Sequence, residues 1–441
     1  MPWVPGGITE YAGHVRTFSR EMRLYILATL ISFLSIGVFQ VLFNLYLGGL
    51  GLREDYLGTY NAVTTICLAI AGLTIGPVVN RFGPRRVVLC GFCLFSIVTG
   101  TEAISTNAVM LLVLGGMQGV ATAYFANPTN VLVLDYSTTR NRQHAISIVY
   151  SVQAISGTLG NLGGGLIPRL VAAVVPAFAA GSLISYRVTL LAGVGIAALA
   201  LIPFARMRPV AGEQRTEIAG VVPPMNPESR KVGRETRRDF TVFILAGGLL
   251  AVASAAVIPF YNVYLTRLGA NTQTVGYIYA GAALFAAIIG LCGPVLASKF
   301  GALPASLVLR LLPAPFFAAM IFAPSLALAI PAHAMRTTSI NASWPIDSTF
   351  IADLLPPRQR AYVFSIRSVV WNAVWAVTSI LVGQLIRDTN SYRGPFLIYV
   401  VFVALNVIVF QVYYGRRIAT RAKRREGPRL GKQPMATGKE R

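Results

Sequence analysis

Within fifteen positions of one apolar stretch lie His333, Arg336, Asn341, Trp344 and Asp347. An imidazole, a guanidinium and a carboxyl set so close can bind an anion, carry a proton or pair with other charges. If the stretch crosses a bilayer as a helix, a bare arginine at the depth of Arg336 costs at least about 2.5 kcal/mol. It then needs an anion, a water-filled cavity or a partner. Asp347 lies eleven residues further on, about 16 Å along a helix axis but only about 20° around it. Both side chains can face one groove, yet they cannot touch. Arg336 is thus a candidate for holding an anion, and Asp347, His333 and Glu102 are candidates for carrying a proton. The alternative is that each charge pairs with a neighbouring helix, Arg310 and Arg367 included.

The elements that must position these groups follow from composition. The chain has 441 residues, a mean hydropathy of +0.62 and only 12% charged residues. A water-soluble surface needs about twice that charge. Apolar runs of about 20 residues, the length that crosses a bilayer, recur twelve times, centred near Phe33, Ala69, Phe95, Ala121, Ser156, Gly195, Leu250, Ala286, Phe316, Thr338, Ala373 and Ala404. This is an all-α polytopic membrane protein.

The net charge of +22 argues for orientation and against nucleic acid. With both termini cytoplasmic, the outer loops hold only Arg53, Arg169, Arg187, Arg267, Arg387 and Arg393. Arg310, Arg336 and Arg367 fall inside spans, and every other Lys and Arg faces the cytoplasm. That is the positive-inside pattern of a protein in the cytoplasmic membrane. The basic tail then meets anionic membrane lipid. No cleavable leader precedes the first span. The four cysteines fall within spans, where Cys90-Gly-Phe-Cys93 reads as packing and not redox chemistry. The three histidines lie far apart, so no metal site or other cofactor is expected.

A polar, proline-containing break at 206–239 divides the chain. The expected organisation is an arm at 1–23, six spans at 24–205, the basic linker at 206–239, six spans at 240–415 and a tail at 416–441. The halves share a register. "FNLYLGGLG" from Phe43 and "YNVYLTRLG" from Tyr261 stand 218 positions apart, and the same offset places Arg81-Phe82-Gly83 on Lys299-Phe300-Gly301. It also places Asp135 on Asp353, Arg140 on Arg358 and Arg142 on Arg360. Three regions sharing one offset mark a duplicated six-helix unit. Six crossings return the chain to its starting side, so the copies run parallel, with a site expected between them near the midplane.

Between the second and third spans stand Gly76, Asn80, Arg81, Gly83, Arg85 and Arg86. This resembles the loop signature of the major facilitator superfamily, G-x-x-x-D-R-x-G-R-R, with Asn80 in place of the acid. Lys299 and Gly301 form a weaker second copy. The resemblance implies twelve helices in two pseudo-symmetric bundles and transport of a small molecule by alternating access. The loop cations can meet Asp135, Asp353 or helix C-termini as a cytoplasmic gate. The fourth span has Gly115 where proton-coupled members often carry arginine. Gly160-Asn161-Leu162-Gly163-Gly164-Gly165 looks like the glycine stretch of the family's exporter branch.

In that family spans one, four, seven and ten line the cavity. The resemblance therefore implies a lining of Gln40, Asn44, Gln118, Tyr124, Asn127, Asn130, Tyr261, Asn262, Arg336, Asn341 and Trp344. Trp371 and Trp375, one turn apart on span eleven, form an aromatic wall or a packing contact. With no nucleotide-binding loop in the sequence, energy must come from a gradient. The leading expectation is a monomeric exporter of an amphipathic or lipophilic compound driven by protons or another ion. The alternative is a facilitator or symporter of an organic anion held by Arg336. A third, non-enzymatic or enzymatic non-transport role on the same scaffold lacks any cluster of catalytic groups to support it.

Overall fold

The computed structural model describes residues 18–138, 141–175, 181–209, 234–354 and 357–415. Helices α1 (Arg20–Gly49), α2 (Glu54–Phe82), α3 (Pro84–Ile104), α4 (Ala108–Ala126), α5 (Thr129–Tyr136), α6 (Arg142–Val174) and α7 (Leu183–Arg206) form the first half. The second contains α8 (Arg234–Val257), α9 (Tyr261–Arg267), α10 (Thr272–Phe300), α11 (Ala302–Leu311), α12 (Ala314–Phe322), α13 (Leu326–Leu354), α14 (Pro357–Thr389) and α15 (Arg393–Phe410).

These helices make twelve crossings. Spans four, seven and nine are each two helices broken at a proline: Pro128, Pro259 and Pro313. Proline lacks the N–H and crowds the preceding turn, so the ladder is interrupted there. Ten crossings among the described residues are long and apolar enough for a bilayer; α6 and α13, richer in small and polar residues, complete the twelve. Ile70, Ile97, Val113, Leu159 and Phe322 are exposed large apolar side chains, as lipid-facing surface requires.

The 218-residue register governs the backbone. Among the described residues, positive φ at Gly51 (82°) recurs at Gly269 (89°), and that at Gly83 (83°) recurs at Gly301 (91°). The first pair closes helices α1 and α9. The second makes the turns into α3 and α11, with ψ of 148° and 151°, a region essentially restricted to glycine.

The halves meet most extensively through two helix pairs, α2 with α14 and α6 with α10. A Cβ on Gly58 would stand 2.1 Å from the Ser379 carbonyl oxygen, and one on Gly276 would stand 2.9 Å from that of Asn161. Gly58 also approaches Gly383, and Gly276 approaches Gly165. Each residue of one contact is the 218-offset counterpart of a residue in the other. Such reciprocity is the signature of a two-fold axis between the copies. Without a hydrophobic drive inside lipid, small residues are what let these helices pack.

Gly83→Ala and Gly301→Ala should each cost about 1–3 kcal/mol, lowering the thermal midpoint of the purified protein by similar amounts. Gly72→Ala, at a helical position with no neighbour within 4 Å, should leave it unchanged.

Candidate functional site

On the pseudo-two-fold axis, Asn44 of α1 and Asn262 of α9 cross the seam. Asn44 Nδ2 donates to the Pro259 carbonyl at 2.7 Å, and Asn262 Nδ2 donates to the Val41 carbonyl at 3.2 Å. Pro259 and Val41 are themselves offset counterparts, so the bonds are reciprocal. The break at Pro259 leaves backbone oxygens that a helix would otherwise use, and Asn44 takes one of them.

The hydrogen bonds and ion pairs that join described residues of opposite halves lie from this point toward one end. That end carries the 50–53 and 390–392 loops. Glu54, at the N-terminus of α2, accepts from Arg267 Nη2 at 2.5 Å and from Tyr392 Oη at 3.0 Å. Burial, and then the Glu54 charge, push the Tyr392 phenol well above its usual pKa, so it stays a donor. Asp55 pairs with Arg387 at 3.1 Å, and Arg53 donates to the Arg387 carbonyl. At the other seam Arg169 donates to Gln273 at 2.7 Å and Tyr186 meets Thr272 at 3.2 Å. This is a latch.

Beyond the axis the halves part. Gln40 lies one turn from Asn44 on the same face of α1, toward the other end, and it is exposed. On α14, Trp375 and Trp371 continue the face of Ser379 by one and two turns. Their rings stack at 6.1 Å and are half-buried. Asn341 and Asn127 are exposed, and Tyr124 meets Thr74 Oγ1 at 2.6 Å. The side chains of Asn130 and Trp344 lie outside the described residues.

Each half holds a buried polar cluster. In the second, Arg336 is 7% exposed and its Nη2 donates to His333 Nδ1 at 3.1 Å. With the guanidinium donating to Nδ1, His333 is the neutral tautomer protonated at Nε2 in this arrangement. His333 stacks on Tyr261 and lies against Tyr279. The guanidinium stands 6.0 Å from the Tyr261 ring centre. Among the described residues Arg336 has no carboxylate partner, and its Nε is buried without a hydrogen bond. In the first half, Glu102 is fully buried with Tyr60 and Gln118 as its partners.

Of the two roles open to Asp347, proton carrier and ion-pair partner, the structure shows an ion pair. Asp347 shares a helix face with Arg336, but it accepts from Arg310 of α11 and from Ser306 Oγ at 2.5 Å. Arg310 also donates to Asn406 Oδ1 at 2.6 Å, and Asn406 donates to the Ala246 carbonyl. The carboxylate is consumed in an ion pair inside the second bundle, so it lines no crevice here.

Arg81, Arg85, Arg86 and Asp135 surround one small pocket. Arg85 Nη2 donates to the Ala205 carbonyl at 2.7 Å, a cation at the C-terminus of α7. Gly76 is buried, Asn80 and Lys299 are exposed, and Arg142 is half-buried. Among the described residues none of these joins the two halves. Arg140 and the side chains of Asp353, Arg358 and Arg360 lie outside them.

Sequence reasoning missed Glu54, Tyr60, Tyr279 and Arg267. Adjacent acids at 54–55 opposite outer arginines were a usable signal for the latch. Tyr60 and Tyr279 fall one residue out of the 218 register, which hid them.

The model for the Major Facilitator Superfamily matches residues 25–342 and 337–439. Among solved structures, the nucleoside transporter NupG (D323A mutant) superposes with a TM-score of 0.71 at 12% identity, covering 89% of this chain and 99% of that one. A bacterial homolog to human lysosomal transporter Spinster, inward-facing and unoccupied, gives 0.68 at 16% identity, covering 93% and 99%. At these identities the likeness is one of fold. A gallate transporter of Pseudomonas putida is 31% identical over 153 residues, which is 35% of this chain and 31% of that protein.

Asp347→Asn should destabilise the purified protein by about 3–5 kcal/mol, because it strands Arg310 as a buried unpaired charge. A variant that unfolds like wild type while losing only its pH response would return Asp347 to the proton carriers.

Proposed function

The chain belongs to the major facilitator superfamily, and on that premise we propose that it moves a small organic anion across the membrane, held by Arg336. Membership supports an integral membrane transporter, and alternating access is the mode of working we propose for it. The finer reading rests on one observation: a buried arginine whose described neighbours are neutral and aromatic. A guanidinium at membrane depth is stable only with an anion or water beside it. Tyr261 lies beside that charge and Tyr279 against its partner His333, and aromatic faces suit a planar substrate. An anionic aromatic acid matches both features, and the partial likeness to a gallate transporter supports the same class.

The latch supports a state closed at the 50–53 end and parted toward the signature loop. With cytoplasmic termini, as the charge distribution favours, the closed end is the outer one and the crevice opens inward. The exporter reading shares this site and differs in direction. Its sequence signal, the glycine stretch of α6, is spent on packing: Gly160 against the Leu34 carbonyl and Gly165 against Gly276. Proton coupling fits either direction. No oligomeric partner is needed to complete the site, and the basic tail suits anionic lipid.

Two measurements check the reading. Counterflow of labelled benzoate and gallate into proteoliposomes should be lost in Arg336→Gln and restored in part by Arg336→Lys, which keeps the charge. Wild-type rates in Arg336→Gln would remove the anchor. For the latch, Glu54→Gln in a cysteine-free background should make Asn44→Cys react several-fold faster with an impermeant thiol reagent added from outside. An unchanged rate would show that the ion pairs do not hold that end shut.

A further inference from the structure

Three contacts link Glu102, Tyr60 and Gln118 into a ring. Tyr60 Oη lies 2.6 Å from Glu102 Oε1 and 3.0 Å from Gln118 Oε1, and Gln118 Nε2 lies 3.1 Å from Glu102 Oε2. Each contact needs one hydrogen. Tyrosine supplies one and the amide edge supplies one. Turning the Gln118 amide over changes which contact lacks a hydrogen but not how many do. With an ionised carboxylate, two bare oxygens face each other at hydrogen-bond distance. With a neutral acid, Glu102 donates to Tyr60, Tyr60 to Gln118 and Gln118 back to Glu102, and the ring closes.

The surroundings agree. Glu102 is 0% exposed and enters no described ion pair. From α2 it is faced by Tyr60 and by Tyr56, whose hydroxyl is turned to the Ala108 carbonyl. From α4 it is faced by Gln118. On α7, which also packs against α3, Arg187 lies over the Tyr46 ring. A buried carboxylate without a cation is costly enough that the group neutralises instead.

We propose that Glu102 is the proton-carrying group of the transport cycle, and that the ring is its protonated state. Half-buried Gln118 is the side of the ring nearest solvent. A proton from water in the crevice converts the carboxylate to the acid, and release reverses it, with no other bond changed. Tyr60 couples this event to the seam. It stands two residues from Gly58, which abuts the Ser379 carbonyl of the other half. Its ring lies against Gly115 and 5.2 Å from Phe43, the neighbour of Asn44. Deprotonation leaves one of the three contacts without a hydrogen and opens the ring there, beside both cross-seam contacts.

The inference rests on the transport reading but not on the substrate, so its first test needs none. Infrared difference spectra of the purified full-length protein should show, at neutral pH, the C=O stretch of a hydrogen-bonded carboxylic acid. Glu102→Gln should abolish that band, and Tyr60→Phe should shift it. A wild-type spectrum matching Glu102→Gln there means that Glu102 is ionised and overturns the proposal. In proteoliposomes, Glu102→Gln should keep benzoate counterflow but lose accumulation driven by a pH gradient. Accumulation that survives also overturns it, whereas absence of benzoate counterflow in wild type would count against the substrate class alone.

Discussion

The reciprocal bonds of Asn44 and Asn262 fix the relation between the two halves. Each amide reaches the carbonyl that its counterpart's own helix presents, one from an intact stretch and one from a proline break. Inside a bilayer a polar side chain has no water to fall back on, so such a pair persists only where protein supplies both ends. Placing it on the axis gives two of the other seam contacts their equivalents. Gly58 with Gly383 repeats as Gly276 with Gly165, and Asp55 with Arg387 repeats as Gln273 with Arg169. A seam built this way can open at one end by tilting about the axis. Sliding would break both sets of glycine contacts together.

The backbone is symmetric and the chemistry is not. Gln118 and Arg336 occupy matching positions, as do Gly115 and His333, while the counterpart of Glu102 is Met320. One half therefore presents an acid among neutral donors and the other a cation among aromatic rings. The same divergence appears in the latch, where an ion pair on one seam is an arginine–glutamine bond on the other. Duplication supplied a scaffold with two equivalent cavities, and substitution gave them different charges.

Much of this was legible in the sequence because repetition is visible without coordinates. The offset of 218 aligned the glycines at 83 and 301, which both make turns; the breaks at Pro128, Pro259 and Pro313 were not read from the sequence. Partner choice was legible only as an alternative, with Arg310 and Arg367 both open as partners. The spacing of Arg336 and Asp347 gives their common face correctly, but a face does not say which helix lies opposite it. Arg310 reaches Asp347 from α11, an element with no sequence relation to α13. The Glu102 ring was hidden, since its members come from three helices and Tyr60 sits one residue out of register with Tyr279.

Charge balance connects these clusters to the conformational cycle. With Asp347 paired to Arg310, and Glu102 neutral as proposed, Arg336 is a buried cation with no carboxylate partner among the described residues. An empty site keeps that charge only while water can reach it, which favours the parted state. Closing the signature-loop end around an empty site would strand a cation in low dielectric, at a cost of several kcal/mol. A bound anion removes the penalty, and so the occluded state becomes accessible when substrate is present. Ionised Glu102 would restore a buried charge of its own. If Arg336 holds the anion and Glu102 the proton, closure is favoured only when both are aboard, because a ligand shifts a two-state equilibrium by its differential affinity for the two states.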